Sequence, residues 1–191
     1  MAVPSPSKSD LRAEGLKRRR DFARSLSPEL RSDLEAKLAR LVLPHLIEAR
    51  IVAAYHPLRD EISPYPILTR LGDGQQAVLP WFARHDAVML WRAGPATEPS
   101  PWGVLQPAPD APARAPDIVI LPLVFADRHG TRIGHGKGHY DRALTNLREG
   151  GPVLAIGIGW ESQISDAPLP RDEWDVPLDA LVTPREWIDC R

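Results

Sequence analysis

Short apolar segments recur along the chain, and helical periodicity fills several of the intervals between them. Residues 51–55, Ile-Val-Ala-Ala-Tyr closed by Pro57, are typical of a strand buried on both faces of a sheet. Similar segments lie at 77–80, 87–91, 117–121, 153–158 and 180–182, and helices are predicted at 9–26, 28–43, 64–71 and 137–147. This alternation predicts an α/β fold with a layered, mostly parallel sheet and helices on both faces, in a Rossmann-like three-layer architecture.

Length and charge narrow the class of protein further. A chain of 191 residues predicts a single domain over 1–191, with residues 1–8 flexible. The formal net charge of -1 gives no reason to expect a nucleic-acid partner. The single cysteine, Cys190, excludes an internal disulfide and favours a reducing, cytoplasmic compartment. Because no apolar run is long enough to cross a bilayer, we expect no membrane association. We also expect a monomer.

Residues suited to ligand binding are most concentrated in a glycine-rich loop. Gly134, Gly136 and Gly138 enclose Lys137, with Arg132 shortly before them. Glycines at alternate positions let the backbone approach a ligand and direct several N–H groups into one concavity, which suits a polyphosphate. The loop follows the strand at 117–121, and ligands of open α/β sheets bind beyond the carboxyl ends of strands.

Two common nucleotide-binding patterns do not fit this loop. A Walker A loop would need a glycine where Thr131 stands and a serine or threonine in place of Gly138. A dinucleotide fingerprint would need a glycine in place of His139. A plain surface turn remains an alternative, although it has no need of the flanking cations, tyrosine and carboxylate. His135, His139 and Asp141 could imitate a transition-metal site, but the intervening glycines disfavour a rigid pair of histidines.

The segment 132–141, Arg-Ile-Gly-His-Gly-Lys-Gly-His-Tyr-Asp, resembles the R-[LI]-G-x-G-x-G-Y-Y-D signature of 5-formyltetrahydrofolate cyclo-ligases. Further segments resemble the family in the same order along the chain. They are Lys8-x-x-Leu11-Arg12, the turn from Tyr55 to Glu61, Trp102-Gly103-Val104 with Gln106-Pro107, Leu121-Pro122, and Trp174 to Asp179. The resemblance therefore covers essentially the whole chain.

The resemblance implies an enzyme that uses MgATP to close 5-formyltetrahydrofolate into 5,10-methenyltetrahydrofolate, releasing ADP and phosphate. It implies catalytic roles for Arg132, Lys137 and His139. It also implies ATP contacts by Lys8, Arg12, Arg132, Ile133, Gly134, His135, Gly136, Lys137, Gly138, His139 and Tyr140. Lys8 and Arg12 would share one helix face, and without the resemblance a solvated charged face would be the better interpretation. The Arg18 to Arg20 run has no counterpart and is expected to be solvated surface.

The same resemblance implies magnesium ligands and a folate pocket. Asp141 and Asp175 would bind Mg²⁺, which takes oxygen ligands; alone, Asp175 would be an ordinary loop carboxylate. The implied folate contacts are Glu61, His56, Phe82, Trp102 and His139. A carboxylate suits the donors of a pterin, and Trp102 could stack on its ring. A surface glutamate and a partly buried tryptophan are the competing interpretations.

One position departs from the signature. His139 stands where the family has the first of two tyrosines, and it could keep the packing, donate a hydrogen bond or introduce pH dependence. Two other functions therefore stay open. One is an ATP-dependent enzyme acting on a different carbonyl or amide compound, and the other is a non-catalytic nucleotide- or folate-binding module.

Overall fold

The structure, a computed structural model, describes residues 6–191. Its strands are β1 (Ile51–Ala53), β2 (Gln76–Trp81), β3 (Leu90–Ala93), β4 (Glu98–Pro99), β5 (Leu105–Gln106), β6 (Ile118–Pro122), β7 (Phe125–Asp127), β8 (Arg132–Ile133), β9 (Leu154–Ile158), β10 (Ile164–Ser165), β11 (Ala180–Val182) and β12 (Trp187–Asp189). Seven of them form the central sheet in the order β12-β11-β9-β6-β1-β2-β3. The five inner strands are parallel and the two edge strands antiparallel, which confirms the mostly parallel sheet.

The structure contains four α-helices, of which the first two begin at residues with capping side chains. They are α1 (Lys8–Ser25), α2 (Pro28–Val42), α3 (Tyr65–Leu68) and α4 (His139–Glu149), with 3₁₀ turns at Leu43–Leu46 and Glu161–Gln163. Ser7 and Asp10 form a capping box at α1, and the Ser27 hydroxyl accepts from the Leu30 N–H before α2. Of the segment 1–8 expected to be flexible, residues 1–5 lie outside the described range, and Lys8 is the first residue of α1.

Helices cover both faces of the sheet because successive strand residues point to opposite sides. In β6, Ile118 and Ile120 belong to the core beneath α2 and α3, whereas Val119 and Leu121 belong to the core beneath α4. Full burial of one such side chain stabilises the fold by roughly 1.5–3 kcal/mol. The two cores give the three-layer arrangement that the sequence predicts.

Helix α1 approaches the backbone after β6 unusually closely. At Gly15 a Cβ atom would lie 2.6 Å from the Val124 carbonyl oxygen and 2.7 Å from the Phe125 Cβ. One turn earlier, Leu11 packs against Phe125 and Ile133. The absence of a side chain at Gly15 therefore fixes how closely α1 lies against the strands that carry the glycine loop.

The structure corrects several predicted boundaries. The strand expected at 87–91 runs from Leu90 to Ala93, because residues 84–87 close a turn through the Ala87 N–H and the Arg84 carbonyl. Helix α4 begins at His139 rather than 137, since Gly136 and Gly138 have φ of 83° and 62°, outside the helical region. The connection at 93–116 contains the β4–β5 hairpin, which was not predicted. Within residues 6–191 no helix is long and apolar enough to span a membrane.

Candidate active site

A cleft of about 1040 Å³ opens at the carboxyl ends of β1, β2 and β6, which are neighbours in the sheet. Every site residue predicted from the sequence lines it: Lys8, Arg12, His56, Glu61, Phe82, Trp102, the whole segment 132–141, and Asp175. The residues come from α1, β8, five loops and the start of α4. The fold thus brings together side chains that are up to 167 residues apart in sequence, as in the contact of Lys8 with Asp175.

The glycine loop connects β8 to α4 and lies along one wall. Gly136 and Gly138 adopt left-handed φ values that favour glycine, and Gly138 is the N-cap of α4, which has no side-chain cap among the described residues. Gly134 has no protein atom within 4 Å of where its Cβ would be. The loop therefore presents open backbone and an uncapped helix N-terminus to the cleft, an arrangement that attracts anions.

Helix α1 contributes two cations to this wall. Arg12 donates from Nε to the Gly134 carbonyl at 2.7 Å, and its guanidinium lies against Gly136. Lys8 donates from Nζ to the carboxylates of Asp172, at 2.6 Å, and Asp175. Partial burial opposes the charge of Lys8, but the hydrogen bonds to both carboxylates outweigh it and raise the pKa of Lys8 above the usual lysine value.

A second ion pair joins β8 to the first turn of α4, across the glycine loop. Arg132 donates to Asp141 at 2.5 Å and also to the Val176 carbonyl. Burial lowers the pKa of Arg132, while the negative charges of Asp141 and Asp175 oppose that change. Asp141 and Asp175 thus lie in one electrostatic cluster, each paired with a cation of the protein.

The donor chemistry of this cluster fits a magnesium ion bound together with a nucleotide. No group of three or more histidine, cysteine or acidic side chains able to hold a metal is present between residues 6 and 191. Mg²⁺ usually takes only one or two carboxylates and completes its shell with phosphates and water. Two carboxylates beside an anion-attracting loop meet that requirement, whereas a site for a transition metal is not formed.

Glu61 lies at the floor of the cleft and is almost completely buried, at 4% exposure. Its Oε1 accepts from Arg19 Nη1 at 2.9 Å, and its Oε2 accepts from the Leu58 N–H at 2.9 Å. The expectation that the whole Arg18 to Arg20 run is solvated is therefore wrong at Arg19, which is 5% exposed. Arg18 and Arg20 are exposed as expected.

Aromatic rings form a second wall of the cleft, next to Lys137 of the glycine loop. Phe82 and His139 meet edge to face with centroids 4.9 Å apart, and the Trp102 ring lies 5.5 Å from His139. The Gln106 side chain holds the Phe82 backbone by accepting from its N–H and donating to its carbonyl. His56 is half-buried and its Nδ1 shares a hydrogen bond of 2.8 Å with the Tyr65 hydroxyl.

The ionisation of the central side chains follows from their neighbours. Burial, and then the positive charges of Arg142 and Lys137, lower the pKa of His139 below 6.5, so this imidazole is neutral at pH 7. Its Nε2 is buried without a hydrogen-bond partner among the described residues. Burial and the charge of Glu61 raise the pKa of the Tyr140 phenol, with Arg132 opposing them, so this hydroxyl stays protonated.

The sequence profile of the 5-formyltetrahydrofolate cyclo-ligase family matches residues 4–184, nearly the whole chain. The chain belongs to this family. Among curated members, the 5-formyltetrahydrofolate cyclo-ligase of Mycolicibacterium smegmatis is 32% identical over 196 residues, covering 95% of this chain and 96% of its own length. That of Escherichia coli K12 is 29% identical over 182 residues, covering 88% of this chain and 99% of its own.

Solved structures of the cyclo-ligase family agree with this fold. The structure of Aquifex aeolicus 5,10-methenyltetrahydrofolate synthetase is 28% identical, has a TM-score of 0.78, and covers 96% of this chain and 93% of its own. The resemblance found in the sequence motifs is therefore confirmed at the level of family and fold.

Three residues of this cyclo-ligase site escaped the sequence analysis. Arg19 could have been found, because Leu11, Gly15 and Arg19 recur every four residues on one face of α1, and that face is buried. The only signal in the sequence that points to Asp172 is its position three residues before Asp175. Gln106 lies in a matched motif, but its two hydrogen bonds to the Phe82 backbone depend on a hairpin that the sequence pattern does not indicate.

Proposed function

We propose that this protein cyclises 5-formyltetrahydrofolate to 5,10-methenyltetrahydrofolate and converts ATP to ADP and phosphate. The observation that carries the proposal is one cleft with two chemically different walls. The cationic glycine loop suits a triphosphate, and the aromatic wall above buried Glu61 suits a flat ring that has hydrogen-bond donors. Membership of the family and the named activity of its curated relatives support the same reaction.

In the proposed reaction the formyl oxygen takes the γ-phosphoryl group of ATP, which gives ADP. N10 of the folate then attacks the activated formyl carbon and releases its proton to phosphate or water, and the C–O bond breaks as phosphate leaves. No protein nucleophile is required, so positioning and charge stabilisation carry the rate enhancement. Arg132 and Lys137 would stabilise charge on the transferring phosphoryl group, and neutral His139 would lie between the two walls as a donor or packing group.

Contacts to the two substrates divide along the cleft. The ATP phosphates would be bound by Lys8, Arg12 and the segment 132–140, whose open backbone at Gly134 leaves room for close approach. The folate would be bound by Glu61, His56, Phe82 and Trp102, with His139 shared. Asp141 and Asp175 would hold Mg²⁺, which would neutralise phosphate charge when bound. Lys8 and Arg132, which pair with these carboxylates in the structure, would then contact phosphate.

We also infer that residues 1–191 work as one domain and as a cytoplasmic monomer that binds small molecules rather than nucleic acid or membranes. The near-neutral charge and the single cysteine support this inference.

The proposed activity predicts a direct optical signal. Mixing the protein with MgATP and 5-formyltetrahydrofolate should produce the near-ultraviolet absorbance of the methenyl product, with one ADP released for each product formed. Omission of ATP should abolish the signal. Well-folded protein that gives no signal would contradict the proposal. ADP release with a different carbonyl or amide compound would then favour a divergent enzyme, and ATP binding without turnover would favour a binding module.

The metal assignment predicts a difference between two neighbouring carboxylates. Asp175→Asn should raise the Mg²⁺ concentration needed for half-maximal activity about tenfold, because a carboxylate ligand is lost. Asp172→Asn is the matched control, since Asp172 also pairs with Lys8 but is assigned no metal role. Titration of activity with Mg²⁺ at saturating ATP measures both. Equal shifts in the two variants would refute the assignment of Asp175.

A further inference from the structure

The pair of Arg19 and Glu61 is a charged contact sealed inside the protein. Only 6% of the Arg19 side chain and 5% of the Glu61 side chain are exposed, with 2.9 Å between Nη1 and Oε1. Withdrawing two charges from water is costly, and a well-packed apolar pair is often equally stable or more stable. Stability alone therefore gives little reason for this pair, and its place beneath the cleft suggests a role there.

The contacts of Glu61 show how its carboxylate is oriented. Arg19 engages Oε1 and the Leu58 N–H engages Oε2, while His135 Nε2 lies 3.9 Å from Oε1. An ionised carboxylate offers about four acceptor positions, so positions remain for a ligand in the cleft that Glu61 lines. The negative charge of Glu61 is also felt by Tyr55 and Tyr140, whose phenol pKa values burial and this charge raise.

Arg19 itself is held in place by the packing of α1. Its Nη1 donates a second hydrogen bond, of 3.2 Å, to the Leu123 carbonyl. Gly15, one turn earlier, brings the helix close enough for the guanidinium to pass beneath the strand ends. The same helix presents Arg12 to the glycine loop and Lys8 to Asp172 and Asp175, so its position affects both walls of the cleft.

We propose that Arg19 is a positioning residue, which holds the Glu61 side chain in the orientation that accepts hydrogen bonds from the ring donors of the folate substrate. This inference rests on the proposed function. It assigns α1 to both substrates: its first two turns bind phosphate, and its fourth turn supports the folate contact. Arg19 does not touch the substrate itself, since its side chain is buried and does not line the cleft.

The test compares Arg19→Met, which keeps the length of the side chain and removes its charge, with Arg19→Lys, which keeps the charge. Steady-state cyclisation is measured against each substrate in turn. In Arg19→Met the KM for 5-formyltetrahydrofolate should rise roughly tenfold to hundredfold, the range expected when a hydrogen bond to a charged group is lost. The KM for ATP should stay within about twofold, and Arg19→Lys should recover part of the folate affinity. Arg20→Met, at the exposed neighbouring position, should match the wild type.

A double-mutant cycle separates positioning from general structural damage. If Arg19 acts through Glu61, adding Arg19→Met to Glu61→Gln should cause no further rise in the folate KM. The proposal is overturned by equal rises in the KM of both substrates, or by the full Arg19→Met effect in the Glu61→Gln background. Should Arg19→Met not fold, Arg19→Lys is carried through the same cycle with the same criteria. A wild type that does not cyclise the folate would instead refute the proposed function, which the optical assay decides beforehand.

Discussion

Replacing Lys137 by alanine is expected to lower kcat by roughly a hundredfold to a thousandfold without changing the melting temperature, the loss typical of removing one charge-stabilising group. Lys137 is exposed in the glycine loop, and its Nζ lies 5.4 Å from the centre of the Trp102 ring. Among residues 6–191 it forms no ion pair, unlike Lys8 and Arg132. Its charge is therefore available to a phosphoryl group and contributes little to the folded state.

The measurement is kcat from the cyclisation assay, together with thermal unfolding. Lys37→Ala is the matched control, because Lys37 is also an exposed lysine but lies on α2 and does not line the cleft. We expect wild-type kcat for this control. A fall in kcat of less than about threefold in Lys137→Ala would show that Lys137 is not part of the phosphoryl-transfer machinery.

Replacing Gly15 by alanine is expected to destabilise the protein by about 2 kcal/mol. The new Cβ would meet the Val124 carbonyl oxygen at 2.6 Å, and α1 must move outward because a backbone atom cannot rotate away. Such overpacking costs about 3 kcal/mol, which outweighs the gain of about 1 kcal/mol in helix propensity. For a chain of this size the melting temperature should fall by roughly 4–8 °C. Because Lys8, Arg12 and Arg19 move with the helix, both KM values should rise.

Gly134→Ala provides the control for this substitution. Gly134 has no left-handed φ and no neighbouring atom within 4 Å of a new Cβ, so the melting temperature should not change. Differential scanning calorimetry of the two variants compares the same chemical change at a packed and at an open position. An unchanged melting temperature in Gly15→Ala would mean that α1 is not fixed by this contact.

The alternating strands and helices could be predicted because buried parallel strands and amphipathic helices have distinct apolar patterns. The segment around Ile118–Pro122, for example, is apolar throughout and is buried on both faces. The hairpin of β4 and β5 could not be predicted, because two-residue strands carry too few side chains to show an alternation. The start of α4 was misplaced for a different reason: the conformations of Gly136 and Gly138 are set by the loop and not by the apolar pattern.

The site residues were predicted from motifs, and the structure adds their mutual geometry. Sequence alone does not show that Lys8 contacts Asp172 and Asp175, because that pairing depends on α1 packing beside a segment from the far end of the chain. It likewise gave the wrong environment for Arg19, since arginine in a run of basic residues is usually solvated. Contacts between distant segments are the part of this site that local patterns do not encode.

The pairing of charges also bears on how the cleft would fill. Lys8 pairs with Asp172 and Asp175, and Arg132 pairs with Asp141, so each of these two cations already has a carboxylate partner within the protein. If Asp141 and Asp175 held a metal ion, Lys8 and Arg132 would lose these carboxylate partners and would be available to the phosphates of a nucleotide. The cleft would therefore bind a cation and a polyanion together more favourably than it binds either one alone.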